Sequence, residues 1–295
     1  MFEIVKRKEL AQNIVLTNVH APRIAKSARP GQFVIVRTDD KGERIPLTIS
    51  DYSAKEGWIT LVTQIVGDSS RKICAMPEGS CFADVVGPLG HPSEFVYENI
   101  GELKNKSILF IAGGLGTAPV YPQVKWLHEQ GAPADVIVGS KTKDLLIFQN
   151  EMRAAAKNLY VATDDGSEGF HGLVTDLMKD LIDNRDKRYD VVVAIGPMIM
   201  MKFVAQATKP YGIKTIVSLN SLMVDGTGMC GACRVTVGGR TYFTCVDGPE
   251  FDGHLVDYDE AMRRQNMYKN LDSRIAKMNA ERAQGHTCKV GLDRD

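Results

Sequence analysis

The sequence predicts two kinds of fold in one chain: an all-β part built as an antiparallel barrel, then an α/β part on a parallel sheet, closed by a glycine- and cysteine-rich segment. Three observations carry this. Up to about residue 100 the apolar runs are short (FEIVKR, NIVLTNV, QFVIVRT, GWITLVTQIV and CFADVV) and separated by Gly, Pro, Asp and Ser, the rhythm of a small barrel. Beyond the polar stretch 102–106, the runs SILFIAG, ADVIVGS, NLYVATD and YDVVVAIG are continuously apolar and alternate with segments of helical spacing, as buried parallel strands do. Finally, three of the six cysteines, Cys230, Cys233 and Cys245, fall within a short stretch that also holds Gly226, Gly228 and Gly231.

The expected order is a barrel over 1–101, an α/β domain over 102–219, a cysteine-bearing segment over 220–256 and a polar, helical tail over 257–295. Helices are predicted at 118–129, 145–156, 172–182 and 198–209, where apolar residues recur at helical intervals. In the tail, Met262, Met267, Tyr268, Leu271, Ile275 and Met278 would form an apolar stripe, suited to a partner or to the chain's own domains.

A chain of 295 residues has room for two domains. Its 44% hydrophobic and 24% charged content is that of a globular protein. Lys plus Arg equals Asp plus Glu at 36 each, so net charge gives no reason to expect nucleic acid as a partner. The start, MFEIVKRKEL, lacks a signal peptide's apolar stretch, and no run of 18 apolar residues could span a bilayer. A cytoplasmic protein without a membrane partner is the expectation. In that reducing setting clustered cysteines favour metal ligation over disulfides.

The cysteine segment reads D-x4-C-x2-C-x11-C, from Asp225 through Cys230 and Cys233 to Cys245. A C-x4-C-x2-C run with a distant fourth cysteine is the plant-type ferredoxin arrangement, in which four thiolates hold a [2Fe-2S] cluster. Here aspartate stands first, and RVTVGGRTYFTC reads as a hairpin that returns Cys245. A structural zinc site on the same four groups and redox-active or merely buried thiols are the competing readings, and for Asp225 alone the competing reading is an exposed loop residue beside glycine. Cys74, Cys81 and Cys288 have no companion at ligand spacing.

In the α/β part, SILFIAG runs into Gly113, Gly114, Gly116, Thr117 and Ala118, so glycines stand where a pyrophosphate would meet a helix N-terminus. Gly196, Pro197 and Met198 repeat that strand, glycine and helix logic, with Pro197 suited to the first helical turn. Two such loops at the ends of parallel strands should line one crevice. Between them, the polar loop 162–172, with Asp165, reads as a contact for a nicotinamide ribose or as a plain connection. Lys141 and Lys143, after ADVIVGS, suit a 2′-phosphate or solvent.

With GGLGTAP, GP-x-x-M and the terminal cysteines in view, the chain resembles the ferredoxin-reductase-like subunits that join a flavin-binding barrel, a nicotinamide domain and a C-terminal [2Fe-2S] segment. Arg44-Ile-Pro46-Leu47-Thr48-Ile-Ser and Val66-Gly67-Asp-Ser69-Ser70 resemble that family's two flavin elements. The resemblance implies FAD, with Arg44 on its pyrophosphate, Pro46, Leu47 and Thr48 along the flavin ring, and Val66, Gly67, Ser69 and Ser70 at the phosphates. It departs from the family in that Leu47 stands where a stacking tyrosine is common and Arg44 lies one residue early. Domain order is most similar to electron transfer subunits of dihydroorotate dehydrogenase. The first-position aspartate and long tail are more similar to small subunits of NADH-dependent reduced ferredoxin:NADP oxidoreductases, whose relatives are also called sulfide dehydrogenase subunits. Those resemblances imply NAD(H), with NADP(H) as the other choice, electron bifurcation, and a heterodimer with a large flavin/iron-sulfur subunit through which ferredoxin is reached.

Overall fold

The computed structural model describes residues 2–267, so most of the predicted tail stripe, from Tyr268 onward, and Cys288 lie outside the described residues. Residues 2–89 form a seven-stranded antiparallel sheet from β1 (Phe2–Ala11), β2 (Ile14–His20), β3 (Phe33–Arg37), β4 (Ile45–Ser53), β5 (Trp58–Gln64), β6 (Cys81–Phe82) and β7 (Asp84–Leu89), in the order β6-β1-β2-β5-β4-β3-β7. One stretch, 81–89, pairs first with β1 and then with β3, so the two edges meet and the sheet nearly closes. Ile4, Val19, Val34, Val36, Ile49, Ile59, Leu61 and Phe82 fill its interior. Helix α1 (Pro22–Ser27) packs on β4, β5 and β7, and α2 (Asp68–Ala75) on β5. The flavin-like element 44–50 thus lies along β4, a strand that the series of short apolar runs alone does not pick out.

After the short helix α3 (Ile100–Leu103), capped by the Asn99 side chain, comes the second sheet. Its strands are β8 (Ile108–Gly113), β9 (Asp135–Ser140), β10 (Asn158–Thr163), β11 (Phe170–His171), β12 (Val191–Ile195) and β13 (Lys214–Ser218), all parallel, in the order β11-β10-β9-β8-β12-β13. Side chains alternate between the faces. Ile108, Phe110 and Ala112 meet α4 (Thr117–Glu129) and α5 (Gln149–Ala155), while Leu109 and Ile111 meet α6 (Val174–Asp183) and α7 (Met198–Thr208). The helix predicted over 145–156 begins later because Lys143–Leu145 forms a separate 3-10 turn and Phe148 adopts φ 56, which no α-helix continues.

The cysteine segment forms the predicted hairpin, β14 (Arg234–Val237) and β15 (Arg240–Phe243), turning at Gly238 and Gly239, both with positive φ. Helix α8 (Thr244–Asp247) then carries Cys245, and β16 (Glu250–Asp252) adds antiparallel to β13. The segment therefore lends a strand to the nucleotide sheet. Helix α9 (Tyr258–Gln265), capped by Asp257, packs on α7. Among the described residues no helix is long and apolar enough to cross a membrane.

Candidate redox site

Strand order reverses between β8 and β12: from β8 the chain moves first to β9 and later to β12 on the other side. Such a switch point opens a crevice at the strands' carboxyl ends. Both glycine loops lie there, and their backbones nearly touch. A Cβ on Gly116 would stand 2.1 Å from the Ile195 carbonyl oxygen, and one on Gly196 would stand 3.1 Å from Gly113 Cα. Gly116 is thus required by close packing against main chain, whereas Gly113 and Gly196 meet chiefly the end of the Met200 side chain. Gly114, at φ +54 with open space beyond its Cα, is the glycine that faces outward. Thr117 and Ala118 are buried, and the Thr117 hydroxyl donates to the Gly114 carbonyl at 2.9 Å, holding the turn. Pro197 is the N-cap of α7, one position before the predicted first turn, and Met198 is buried beneath it.

Asp165 stands in an exposed loop whose backbone leans on the end of β9, with Asp165 N donating to the Lys141 carbonyl. Its carboxylate accepts from the Ser167 hydroxyl at 2.6 Å and the Ser167 N–H at 3.0 Å, which hold it below the usual carboxylate range.

In the barrel, Pro46, Leu47 and Thr48 are half-buried on β4, paired with Ile35, Val34 and Phe33 of β3. The 66–70 loop opens α2 with Val66 and Gly67 exposed. Ser70 is spent internally: its hydroxyl accepts from the N–H groups of Val66 and Gly67, both at 2.9 Å. Ser69 hydrogen-bonds Glu43. Arg44, expected on a pyrophosphate, turns its guanidinium to the cysteine segment instead. It donates through Nε to the Val224 carbonyl at 2.9 Å and through a second nitrogen to the Asp225 carbonyl at 3.3 Å, while a third lies 3.5 Å from Asp84. Two carbonyl oxygens and a carboxylate on that side engage all three nitrogens of the fork.

The cysteine loop lies against β3. Gly226, at φ +82, presses on it so closely that a Cβ would stand 2.4 Å from Ile35 Cδ1. Cys233 and Cys245 are buried, 3.2 Å apart, and pack with Phe33, Ile35 and Met223. Burial, reinforced by the Cys233 thiol, raises the Cys245 thiol well above its ordinary value. Cys230 is exposed, and backbone N–H groups of Ala232 and Asp225 aimed at its sulfur hold its thiol below the ordinary value. Asp225 Oδ2 accepts from the Thr227 hydroxyl at 2.5 Å, the Thr227 N–H at 2.9 Å and the Met229 N–H at 3.2 Å, which keep it well ionised.

Among the described residues no three His, Cys, Asp or Glu side chains converge as a metal requires. The structure brings two of the four predicted ligands together and leaves Cys230 and Asp225 on the rim. The donors nevertheless fit an iron–sulfur cluster: two thiols on an apolar floor, a third already acidified by N–H donors, and a loop whose glycines admit close approach. Two further contacts gave no signal in the sequence, because neither partner stands in a motif. Lys125 of α4 pairs with Asp51 of β4 at 2.8 Å, and Gln123 donates to Glu250 at 2.8 Å.

Residues 220–257 match the family model of the iron-sulfur cluster binding domain of dihydroorotate dehydrogenase B, and residues 110–206 match the oxidoreductase NAD-binding domain. A Thermotoga maritima protein, a dihydroorotate dehydrogenase B (NAD(+)) electron transfer subunit homolog, is 46% identical over 92% of each chain. The chain belongs to this family of electron transfer subunits. A probable member from Methanocaldococcus jannaschii is 35% identical over 78% of this chain and 81% of its own. The solved structure of the NADH-dependent reduced ferredoxin-NADP oxidoreductase, reported for its insight into flavin-based electron bifurcation, contains a chain with 42% identity and a TM-score of 0.87, covering 95% of this chain and 97% of that one. A ferredoxin reductase of carbazole 1,9a-dioxygenase, at 16% identity and a TM-score of 0.58 over 72% and 65%, shares the fold alone. As a family member the chain is a redox electron transfer subunit on a ferredoxin-reductase-like fold, with FAD, a [2Fe-2S] cluster and NAD(H) as its cofactors.

Proposed function

We propose that this chain is the small subunit of an electron-bifurcating, NADH-dependent reduced ferredoxin:NADP oxidoreductase, exchanging electrons with NAD(H) and passing them singly to a larger flavin/iron-sulfur subunit. The observation that carries the reading is the position of β4. Its Asp51 is tied to α4, the helix that starts at the nucleotide loop, and a little earlier along the strand Thr48 pairs with Phe33, which packs on the Cys233 and Cys245 thiols. One strand thus reaches both the helix that leaves the nucleotide loop and the iron–sulfur loop.

Bound FAD supplies the conversion between two-electron exchange with a nicotinamide and one-electron exchange with an iron–sulfur cluster. The chain's own residues position and shield. Thr48 borders the flavin side of β4 while Leu47, next on the strand, packs against the barrel interior, Gly114 leaves the crevice open to a dinucleotide, and Asp225, Cys230, Cys233 and Cys245 form the iron–sulfur donor set. The division at about residues 101, 219 and 256 goes with this reading. Leu222, Val224, Met229 and Val246 expose apolar side chains around Cys230, with Met229 88% exposed, which suits a protein surface. Cytoplasmic residence also fits a complex of this kind.

The test is the visible spectrum of the chain purified without oxygen, with iron, sulfide, zinc and flavin assays, titrated with NADH and NADPH in separate portions. Bleaching of both chromophores by NADH is expected, and a colourless, zinc-containing protein overturns the reading. Oxidation of dihydroorotate by the complex with its large subunit, in place of reduction of NADP by NADH and reduced ferredoxin, would assign it to a dihydroorotate dehydrogenase instead.

A further inference from the structure

We infer that Arg44 is a positioning residue of the iron–sulfur site: it clamps the 224–225 backbone of the cysteine loop to the start of the flavin-bordering strand and places a fixed positive charge beside the donor set. This rests on the redox reading above and deepens it, since Arg44 falls in the element that otherwise reads as a flavin phosphate contact.

Three observations support it. The fork makes two contacts to the loop, at Val224 and Asp225, and a third at 3.5 Å to Asp84 at the start of β7, so it crosses from barrel to loop. Both loop acceptors are main-chain carbonyls adjoining the predicted first ligand, so the clamp fixes where the Asp225 side chain departs. One residue on, Gly226 is pressed against Ile35 of β3, so the guanidinium and an apolar contact hold successive residues of the segment to the barrel. Only a planar fork spans adjacent carbonyls in this way, whereas a lysine would keep the charge and lose the second contact.

The experiment compares wild-type chain, Arg44→Lys and Arg44→Gln, each loaded with FAD and cluster, by flavin-to-protein ratio, amide hydrogen exchange across 222–230 and the cluster's midpoint potential from electron paramagnetic resonance. Arg44→Gln is expected to keep its flavin, to exchange in this loop about tenfold faster and to shift the potential negative, because a cation that favours the more negative, reduced cluster is gone. Arg44→Lys should return the potential towards wild type without restoring the protection. Loss of flavin with an unchanged loop and potential would overturn the inference and return Arg44 to a flavin phosphate. Unchanged flavin, exchange and potential in Arg44→Gln would also overturn it. A wild-type chain without flavin or cluster would instead fail the functional reading, so the two failures are distinguishable.

Discussion

The nucleotide crevice and the iron–sulfur loop are both glycine-rich, yet they are built in opposite ways. At the crevice the backbones of Gly116 and Ile195 touch because two parallel strands converge there, and Thr117 and Ala118 are sealed in the core. The cysteine loop instead leaves Met229 and Cys230 exposed, and its shape comes from hydrogen bonds to Asp225, a clamp from Arg44 and one thiol pair. One site is a product of the sheet, while the other is a local structure in which two of the four predicted donors, Cys233 and Cys245, stand together and the other two lie at the rim.

That contrast is broken most severely by Cys245→Ser. The substitution removes one of the two buried thiols, and the expected result is loss of iron and sulfide with flavin and NADH binding retained. Loss of all three together would show that the two sites are one folding unit. Gly116→Ala is the converse. Its methyl meets main-chain oxygen, which cannot swing away, so more than about 3 kcal/mol of stability should be lost in urea unfolding. A variant that unfolds like wild type would mean that the β8 and β12 loops part easily.

These differences also explain what could be read from the sequence. Parallel strands such as Val191–Ile195 announce themselves because burial on both faces demands unbroken apolar runs. The hairpin returning Cys245 was legible from Gly238 and Gly239, whose turn chemistry is local. Arg44 was not, because its partners are main-chain carbonyls about 180 residues away, and a carbonyl has no residue type. Gly113, Gly116 and Gly196 looked alike as phosphate-loop glycines, although only Gly116 meets main chain so closely that packing by itself requires a glycine. The Phe33 and Ile35 floor beneath the thiols was invisible as a site, since on β3 they look like ordinary barrel residues.

Glu250 lies where the two regions join, on the strand that leaves the cysteine segment for the nucleotide sheet. Its Oε1 accepts from Gln123, its Oε2 is buried without a partner among the described residues, and burial raises its carboxyl to about 7. A folded pKa above the unfolded one means that the native state holds the proton more tightly. Stability is therefore full below about pH 4.5 and falls as pH rises towards 7, by on the order of 3 kcal/mol in all. Glu250→Gln, which cannot ionise, should remove that slope, read as the difference in urea midpoint between pH 5 and pH 8. An equal slope in both proteins would show that the carboxylate is solvated when charged.

The smallest effect is expected close to the backbone clash at Gly116. Gly114 has open space around its Cα, so a methyl there meets nothing, and the cost of Gly114→Ala is only that of holding an L-residue at φ +54, about 1 kcal/mol. The methyl points into the crevice, however, where a dinucleotide phosphate would approach the turn. The expected outcome is a nearly normal unfolding midpoint together with a clear rise in the NADH concentration needed for half-reduction. If Gly114→Ala leaves that concentration unchanged, the phosphate does not approach this glycine, and the crevice must be occupied from the Gly196 side.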